Sequence, residues 1–141
     1  MSIVAEDIQS KTIWFNKQLC LVKDNFIKWL QEIGHEVVTT DKSTKIIEGL
    51  GGEYDTKEYT ILIDKNISVK IIPYGIWIIG ARGRIDIYGP SGSEKLLYFR
   101  MGDKIVMNVD EDGWYWDDNS PHRRVLKFSK DIVISLLERL Q

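Results

Sequence analysis

Between Ser10 and Ile33, apolar residues return every three or four positions. Phe15, Leu19, Val22, Phe26, Trp29, Leu30 and Ile33 draw one stripe, and Lys17, Lys23, Asp24, Lys28 and Glu32 fall largely off it. That period predicts an amphipathic helix packed on a core. Ser10 suits the N-cap, and Gly34 supplies the left-handed residue that ends the helix. A helix of this length, ~36 Å, crosses a whole sheet.

From Glu58 to Asp118 the period changes to two. Tyr59, Ile61 and Ile63 alternate with Thr60, Leu62 and Asp64, and Ile67, Val69 and Ile71 alternate with Ser68 and Lys70. Asp64-Lys65-Asn66 reads as the turn between them, with Asn tolerating positive φ. Pro73-Tyr74-Gly75 has the residues of a second turn, which pins Ile67–Ile72 against Ile76–Gly80 as a hairpin. Further turns at 81–83, 89–93, 101–103 and 110–113 separate strands at Arg84–Tyr88, Lys95–Arg100, Lys104–Val109 and Trp114–Asp117. Turn signals about ten residues apart mark consecutive antiparallel strands.

The flanks complete the outline. His35–Thr39 reads as a short strand. Asp41–Glu53, polar and then rich in glycine, reads as a loop with one helical turn around Ile46–Leu50. Val125, Leu126 and Phe128 suggest a last short strand. Ser129 then caps a helix whose stripe is Ile132, Val133, Leu136, Leu137 and Leu140, with Asp131 in the first turn facing the positive dipole end. The fold class is α+β: a long N-terminal helix, an antiparallel β-meander of about six to seven strands and a C-terminal helix packed on the sheet, all in one domain over 1–141.

Strand parity separates two sheet faces. The middle of the meander is apolar on both, with Val69, Ile71, Ile76 and Ile78 in one set and Ile72, Trp77 and Ile79 in the mixture with the other. Both faces therefore need cover, either from helices on opposite sides or, with both helices on one face, from a curling of the sheet or a second copy of the chain on the other. Further along, Arg84, Asp86 and Tyr88 share one side of their strand. With Trp77 nearby, this face is the candidate small-ligand site, a groove with aromatic walls and fixed charges. Trp114, Tyr115 and Trp116 lie on the last long strand, where aromatic rings at an edge invite pairing, so they are the candidate interface.

Composition narrows the function classes. The chain has 141 residues, of which 43% are hydrophobic and 28% charged, as in an ordinary globular protein. A formal net charge of −2 does not suit a dedicated nucleic-acid binder, which needs a concentrated Lys/Arg surface. The single cysteine, Cys20, lies among Leu19, Leu21 and Val22 and reads as a small core hydrophobe. The N-terminal residues carry no basic stretch followed by an apolar run, and no run approaches the ~20 apolar residues of a membrane span. The expected setting is cytoplasmic.

Specific motifs fail on spacing. Asn108-x-Asp110-x-Asp112-Gly113 imitates the first half of a calcium loop, but position twelve would be Asn119 rather than a bidentate carboxylate. Asp86 with Glu94-Lys95 resembles the acidic pair plus lysine of restriction-type nuclease cores. Adjacent Glu94 and Lys95 would point to opposite faces, where those cores need both on one. Gly89 to Lys95 lacks the Gly-Lys-Ser/Thr of a phosphate loop, and no Gly-x-Ser-x-Gly elbow exists. His35 and His122 have no ligand-spaced partner. Arg123-Arg124, with His122, Arg82, Arg84 and Arg100, are the only clustered positive charges and read as a solvated face.

These readings imply no cofactor, no metal and no catalytic residue. The expected function is a non-enzymatic binding or adaptor protein that uses a sheet face or the aromatic edge strand for a protein partner or for self-association. The alternative is a small-ligand or enzymatic pocket around Arg84, Asp86, Tyr88 and Trp77. Nucleic acid and membrane are not expected partners.

Overall fold

A computed structural model describes residues 3–49, 52–78, 80–103, 109–119 and 124–141. The elements run α1 (Ile3–Glu32), β1 (Val37–Glu48), β2 (Gly52–Ile63), β3 (Ile67–Gly75), β4 (Arg84–Gly89), β5 (Gly92–Phe99), β6 (Gly113–Asp117), β7 (Leu126–Lys127) and α2 (Lys130–Leu140). Among the described residues the strands form one seven-stranded sheet in sequence order, and every neighbouring pair is antiparallel. The α+β meander between two helices is thus the fold.

Most of the expected stripe of α1 is buried: Phe15, Leu19, Val22, Phe26 and Leu30 are fully enclosed, Trp29 is half-buried, and Ile33, just past the helix end, is exposed. The helix begins earlier than Ser10, which lies inside it. Its end is as expected. Gly34 takes φ +98°, the His35 N–H donates to the Leu30 carbonyl, and the Gly34 N–H donates to the Gln31 carbonyl. That pair of bonds satisfies carbonyls the last turn leaves open. The Asp64 carboxylate then ties the helix end to the β2–β3 turn. It lies 2.6 Å from His35 Nδ1 and accepts the Glu36 N–H at 2.9 Å. These bonds hold the Asp64 carboxyl below its ordinary pKa.

Three parts of the outline differ from expectation. Asp41–Glu53 is not a loop with a helical turn. Its described residues, 41–49 and 52–53, belong to a long hairpin whose register is unbroken from Val37↔Ile63 to Glu48↔Gly52, and residues 50 and 51 lie outside the described residues. Burial along β2 changes parity inside that hairpin. Tyr59, Ile61 and Ile63 are buried near its base, and Tyr54 and Thr56 near its tip. Pairing with β3 ends at Tyr59↔Ile71. Beyond that point the two-stranded ribbon follows its own twist and presents its other face inward. A strand whose inner face switches halfway shows no period of two.

Second, Pro73-Tyr74-Gly75 is the end of β3 rather than a turn, and the hairpin partner of β3 is β4 rather than the segment expected over 76–80, of which Ile79 lies outside the described residues. Pro73 pairs with Ile85 and Gly75 with Arg84, leaving Tyr74 as a bulge residue. Proline is tolerated here because β2 no longer lines this edge of β3. Third, in the turn after β2 the positive φ angles belong to Asp64 (51°) and Lys65 (65°), not to Asn66. The strand expected over Lys104–Val109 lies almost wholly outside the described residues.

Both helices cover one face of the sheet. Their buried residues, Phe26 and Leu30 of α1 and Val133, Leu136 and Leu140 of α2 among them, form one core with Ile61, Ile71, Ile85, Ile87 and Leu96. Ser129 caps α2 as expected, accepting the Ile132 N–H, and Asp131 lies in its first turn. The far end of α2 closes on the β4–β5 turn, where the Ser91 N–H donates to the Leu140 carbonyl at 3.0 Å. A side chain at Gly89 would strike that same carbonyl. The opposite sheet face carries a smaller core of Phe99, Tyr115 and Val125, flanked by Ala81, Leu97 and Val109. Among the described residues no helix is long and apolar enough to cross a membrane.

Candidate functional site

The expected aromatic interface is internal. Trp114 and Trp116 face the helices, and Tyr115, on the other side of the same strand, sits at the centre of the smaller core. Trp114 Nε1 donates to Gln18 Oε1 of α1 at 3.1 Å. Trp116 Nε1 donates to Glu94 Oε2 at 3.2 Å, and the Arg139 guanidinium of α2 stands 4.9 Å from its ring centre. The Tyr115 hydroxyl donates to the Glu111 carbonyl at 2.7 Å. Each polar tip finds a partner inside the chain, as buried Trp and Tyr require. None of the three rings is left to form a surface patch. The neighbour that keeps β6 from being an edge is β7, a strand of two residues.

The Arg84, Asp86 and Tyr88 side chains do share one sheet face, opposite the helices. Asp86 is 6% exposed, and both its oxygens are taken by Arg84, from Nε at 2.8 Å and Nη2 at 3.2 Å. The bulged Tyr74 lays its ring 3.9 Å from the Arg84 guanidinium carbon. Stacking and a bidentate bond together fix this arginine. Tyr88 is exposed, and its strand neighbours across the sheet are Lys70 and Ser93. The structure therefore separates Trp77 from this trio. Trp77 lies in the segment after β3 and packs against the main core, on the helix side.

Trp77 instead lines an open cavity of about 590 Å³ between the first half of α1 and the segment joining β3 to β4. Trp14 and Trp77 supply aromatic wall, and Ile76, Ile78 and Ala81 supply aliphatic wall. Asp7, Ser10, Lys11 and Trp14 reach it from α1, since residues three, four and seven apart share one helix face. Arg82 and Arg100 line it from the sheet side. The volume falls in the range found for small-molecule sites.

Both indoles are held in place. The Trp14 ring meets Tyr98 edge-on at 4.8 Å, and Tyr98 meets Trp114 at 5.3 Å. Trp77 is fixed through its backbone. Glu48, the last residue of β1, accepts the Ile76 N–H at 3.1 Å and the Trp77 N–H at 3.0 Å. The Tyr54 hydroxyl donates to the same carboxylate, and the Tyr54 ring lies 6.5 Å from that of Trp77. Burial, reinforced by the Glu48 carboxylate, pushes the Tyr54 phenol far above its ordinary pKa. A side chain at residue 75 would collide with the Glu48 carboxylate, so the latch needs Gly75.

The charges around the cavity are partly paired. Lys11 Nζ lies 3.2 Å from Asp7 Oδ2 and 6.0 Å from the Trp77 ring centre. Arg82 binds Asp103 in a fork, at 3.2 Å from Nε and 3.0 Å from Nη2. That fork holds the Asp103 carboxyl below the usual carboxylate range and raises Arg82 in turn. The Arg100 backbone N–H also donates to Asp103, at 2.8 Å. The Arg100 guanidinium makes no ion pair among the described residues.

Sequence reasoning missed Trp14, Lys11, Arg82 and Arg100 as site residues. A signal existed: Asp7, Ser10, Lys11 and Trp14 repeat at helical spacing on a face other than the core stripe. A second cavity, of about 570 Å³, lies between α1 and the β1–β2 hairpin. Two buried atoms on its wall, Asn16 Oδ1 and Thr56 Oγ1, have no hydrogen-bond partner among the described residues. The calcium-like segment gives Asp112 to the Met101 N–H at 2.8 Å, and Asn108 lies outside the described residues. Among those described, no group of three or more His, Cys, Asp or Glu side chains is placed to hold a metal ion. Comparison with protein-family models, with curated proteins and with solved structures returns no match.

Proposed function

We propose that this is a binding protein that holds a small ligand in the cavity between α1 and the segment after β3. The observation that carries the reading is the pair of indoles, Trp14 and Trp77, fixed on opposite elements around a cavity of about 590 Å³. A cleft of this size can hold a small molecule against two flat rings, and preset walls reduce the ordering cost of binding. The Glu48 latch on Trp77 supports the reading, because it fixes one wall by hydrogen bonds from the Ile76 and Trp77 N–H groups, and the Tyr54 hydroxyl in turn holds the Glu48 carboxylate. The test is a thermal-shift screen of small aromatic and aliphatic compounds on the wild type and on Trp77→Ala. Hits that raise the wild-type midpoint and lose their effect in Trp77→Ala support the reading. A screen without hits, or hits indifferent to Trp77, counts against it.

A second reading, self-association, is favoured by the outer edge of β1. This edge strand pairs only with β2 among the described residues, and it leaves Val38 53% and Ile47 79% exposed. Exposed apolar residues on a free edge invite strand pairing. Sedimentation equilibrium of the wild type and Ile47→Lys tests it. A concentration-dependent dimer lost in the variant is the expected result, and a monomer throughout removes this reading.

A further inference from the structure

We infer that the cavity beside Trp14 and Trp77 selects a small planar monoanion, in chemical class an aromatic carboxylate. The inference rests on the binding reading above and adds the ligand's shape and charge. The walls set the shape. Two indoles and the aliphatic side chains of Ile76, Ile78 and Ala81 offer flat, apolar contact. Aromatic faces reward a planar partner that can stack or meet them edge-on.

The charges set the sign. Lys11, Arg82 and Arg100 line the cavity, against one acid, Asp7. A cationic ligand would meet three like charges there. Asp7 answers Lys11 and Asp103 answers Arg82. Asp112 adds a further negative charge in the field of Arg82, and its Oδ1 accepts the Met101 N–H. The Arg100 guanidinium is left with no carboxylate within ion-pair distance among the described residues.

The pairing sets the magnitude. With Lys11 and Arg82 answered, Arg100 is the one lining cation without a carboxylate at ion-pair distance among the described residues. A carboxylate matches it, and the guanidinium fork binds a carboxylate through two parallel hydrogen bonds. A ligand with two negative charges would leave one of them without a partner. A neutral aromatic would gain the walls and forgo the fork.

The experiment compares 2-naphthoate with its neutral, nearly isosteric amide, 2-naphthamide. Both are titrated by calorimetry into the wild type, Arg100→Gln and Trp77→Ala. Arg100 is exposed, so Arg100→Gln leaves the core intact. The expected result is about tenfold or greater preference for naphthoate in the wild type. That preference should fall to near unity in Arg100→Gln and shrink as ionic strength rises. Trp77→Ala should weaken both ligands together. Equal binding of the two by the wild type, or a preference that survives Arg100→Gln, overturns the anion inference and leaves the cavity reading standing. Failure of both to bind the wild type overturns the cavity reading and the inference with it.

Discussion

Glu48 and Trp77 are joined by a hydrogen bond of 3.0 Å, from the Trp77 N–H to Glu48 Oε1, across a sequence separation of 29 residues. One carboxylate at the tip of the first hairpin thereby fixes a wall of the cavity. It is also the acceptor for Ile76 and Tyr54, so three donors depend on it.

Replacing Glu48 should therefore cost stability and loosen the cavity. Glu48→Ala leaves the Tyr54 hydroxyl and two backbone donors without their acceptor. A loss of about 2–3 kcal/mol is expected, with Glu48→Gln losing less because one oxygen remains. Urea denaturation of the three proteins measures it. A change below about 0.5 kcal/mol in Glu48→Ala would show that the latch carries no weight.

Tyr54 gives a pH dependence of known sign. Burial and the Glu48 carboxylate raise its folded pKa above the ordinary value of 10. The fold thus favours the neutral phenol. Its contribution is complete below pH 10 and is lost as pH rises further, because the unfolded chain ionises first. The loss is about 1.4 kcal/mol per pH unit above that point. Tyr54→Phe lacks this dependence. The stability gap between wild type and Tyr54→Phe should therefore narrow from pH 9 to pH 11, and a constant gap would contradict the assignment.

The core positions of α1 differ in what they contribute. Phe26 is fully buried, and Phe26→Ala should cost ~3–5 kcal/mol. Trp29 is only half-buried, with its ring 5.1 Å from that of Phe128. Trp29→Ala should cost less, about 2 kcal/mol, since part of its surface already meets water. Chemical denaturation gives both values, and the reverse order would mean that the helix is rotated.

Thr56 offers a stabilising change. Its hydroxyl is buried at 5% exposure without a hydrogen-bond partner among the described residues. Thr56→Val keeps the branched shape and removes a polar atom that burial penalises. A gain of about 1 kcal/mol is expected by urea denaturation. A loss of similar size would show that the hydroxyl is satisfied in solution.

The sequence was informative where a side chain's role depends on its near neighbours. The buried stripe of α1, the left-handed Gly34, the cap at Ser129 and the alternation of β3 and β4 all follow from local periods and backbone preference. The same local signals misread Asp41–Glu53 and Pro73-Tyr74-Gly75. The hairpin's inward face switches midway, and proline is tolerated where a neighbouring strand has ended. Both facts depend on what lies alongside the strand.

The candidate site divides in the same way. That Arg84, Asp86 and Tyr88 share a face was legible, because alternation along one strand sets it. That Arg84 consumes Asp86, and that Trp77 turns to the other side of the sheet, was not. Trp114 and Trp116 looked like an edge from their place in the chain, but their burial was set by α1 and α2, which return over the sheet from its two ends. The chain by itself determined its helices, most of its strands and its α+β class, since periodicity and capping act within a few residues. Only the tertiary structure decided where the cavity lies, because its walls come from α1, the segment after β3 and the end of β5. Those residues meet through packing, and no local pattern encodes that meeting.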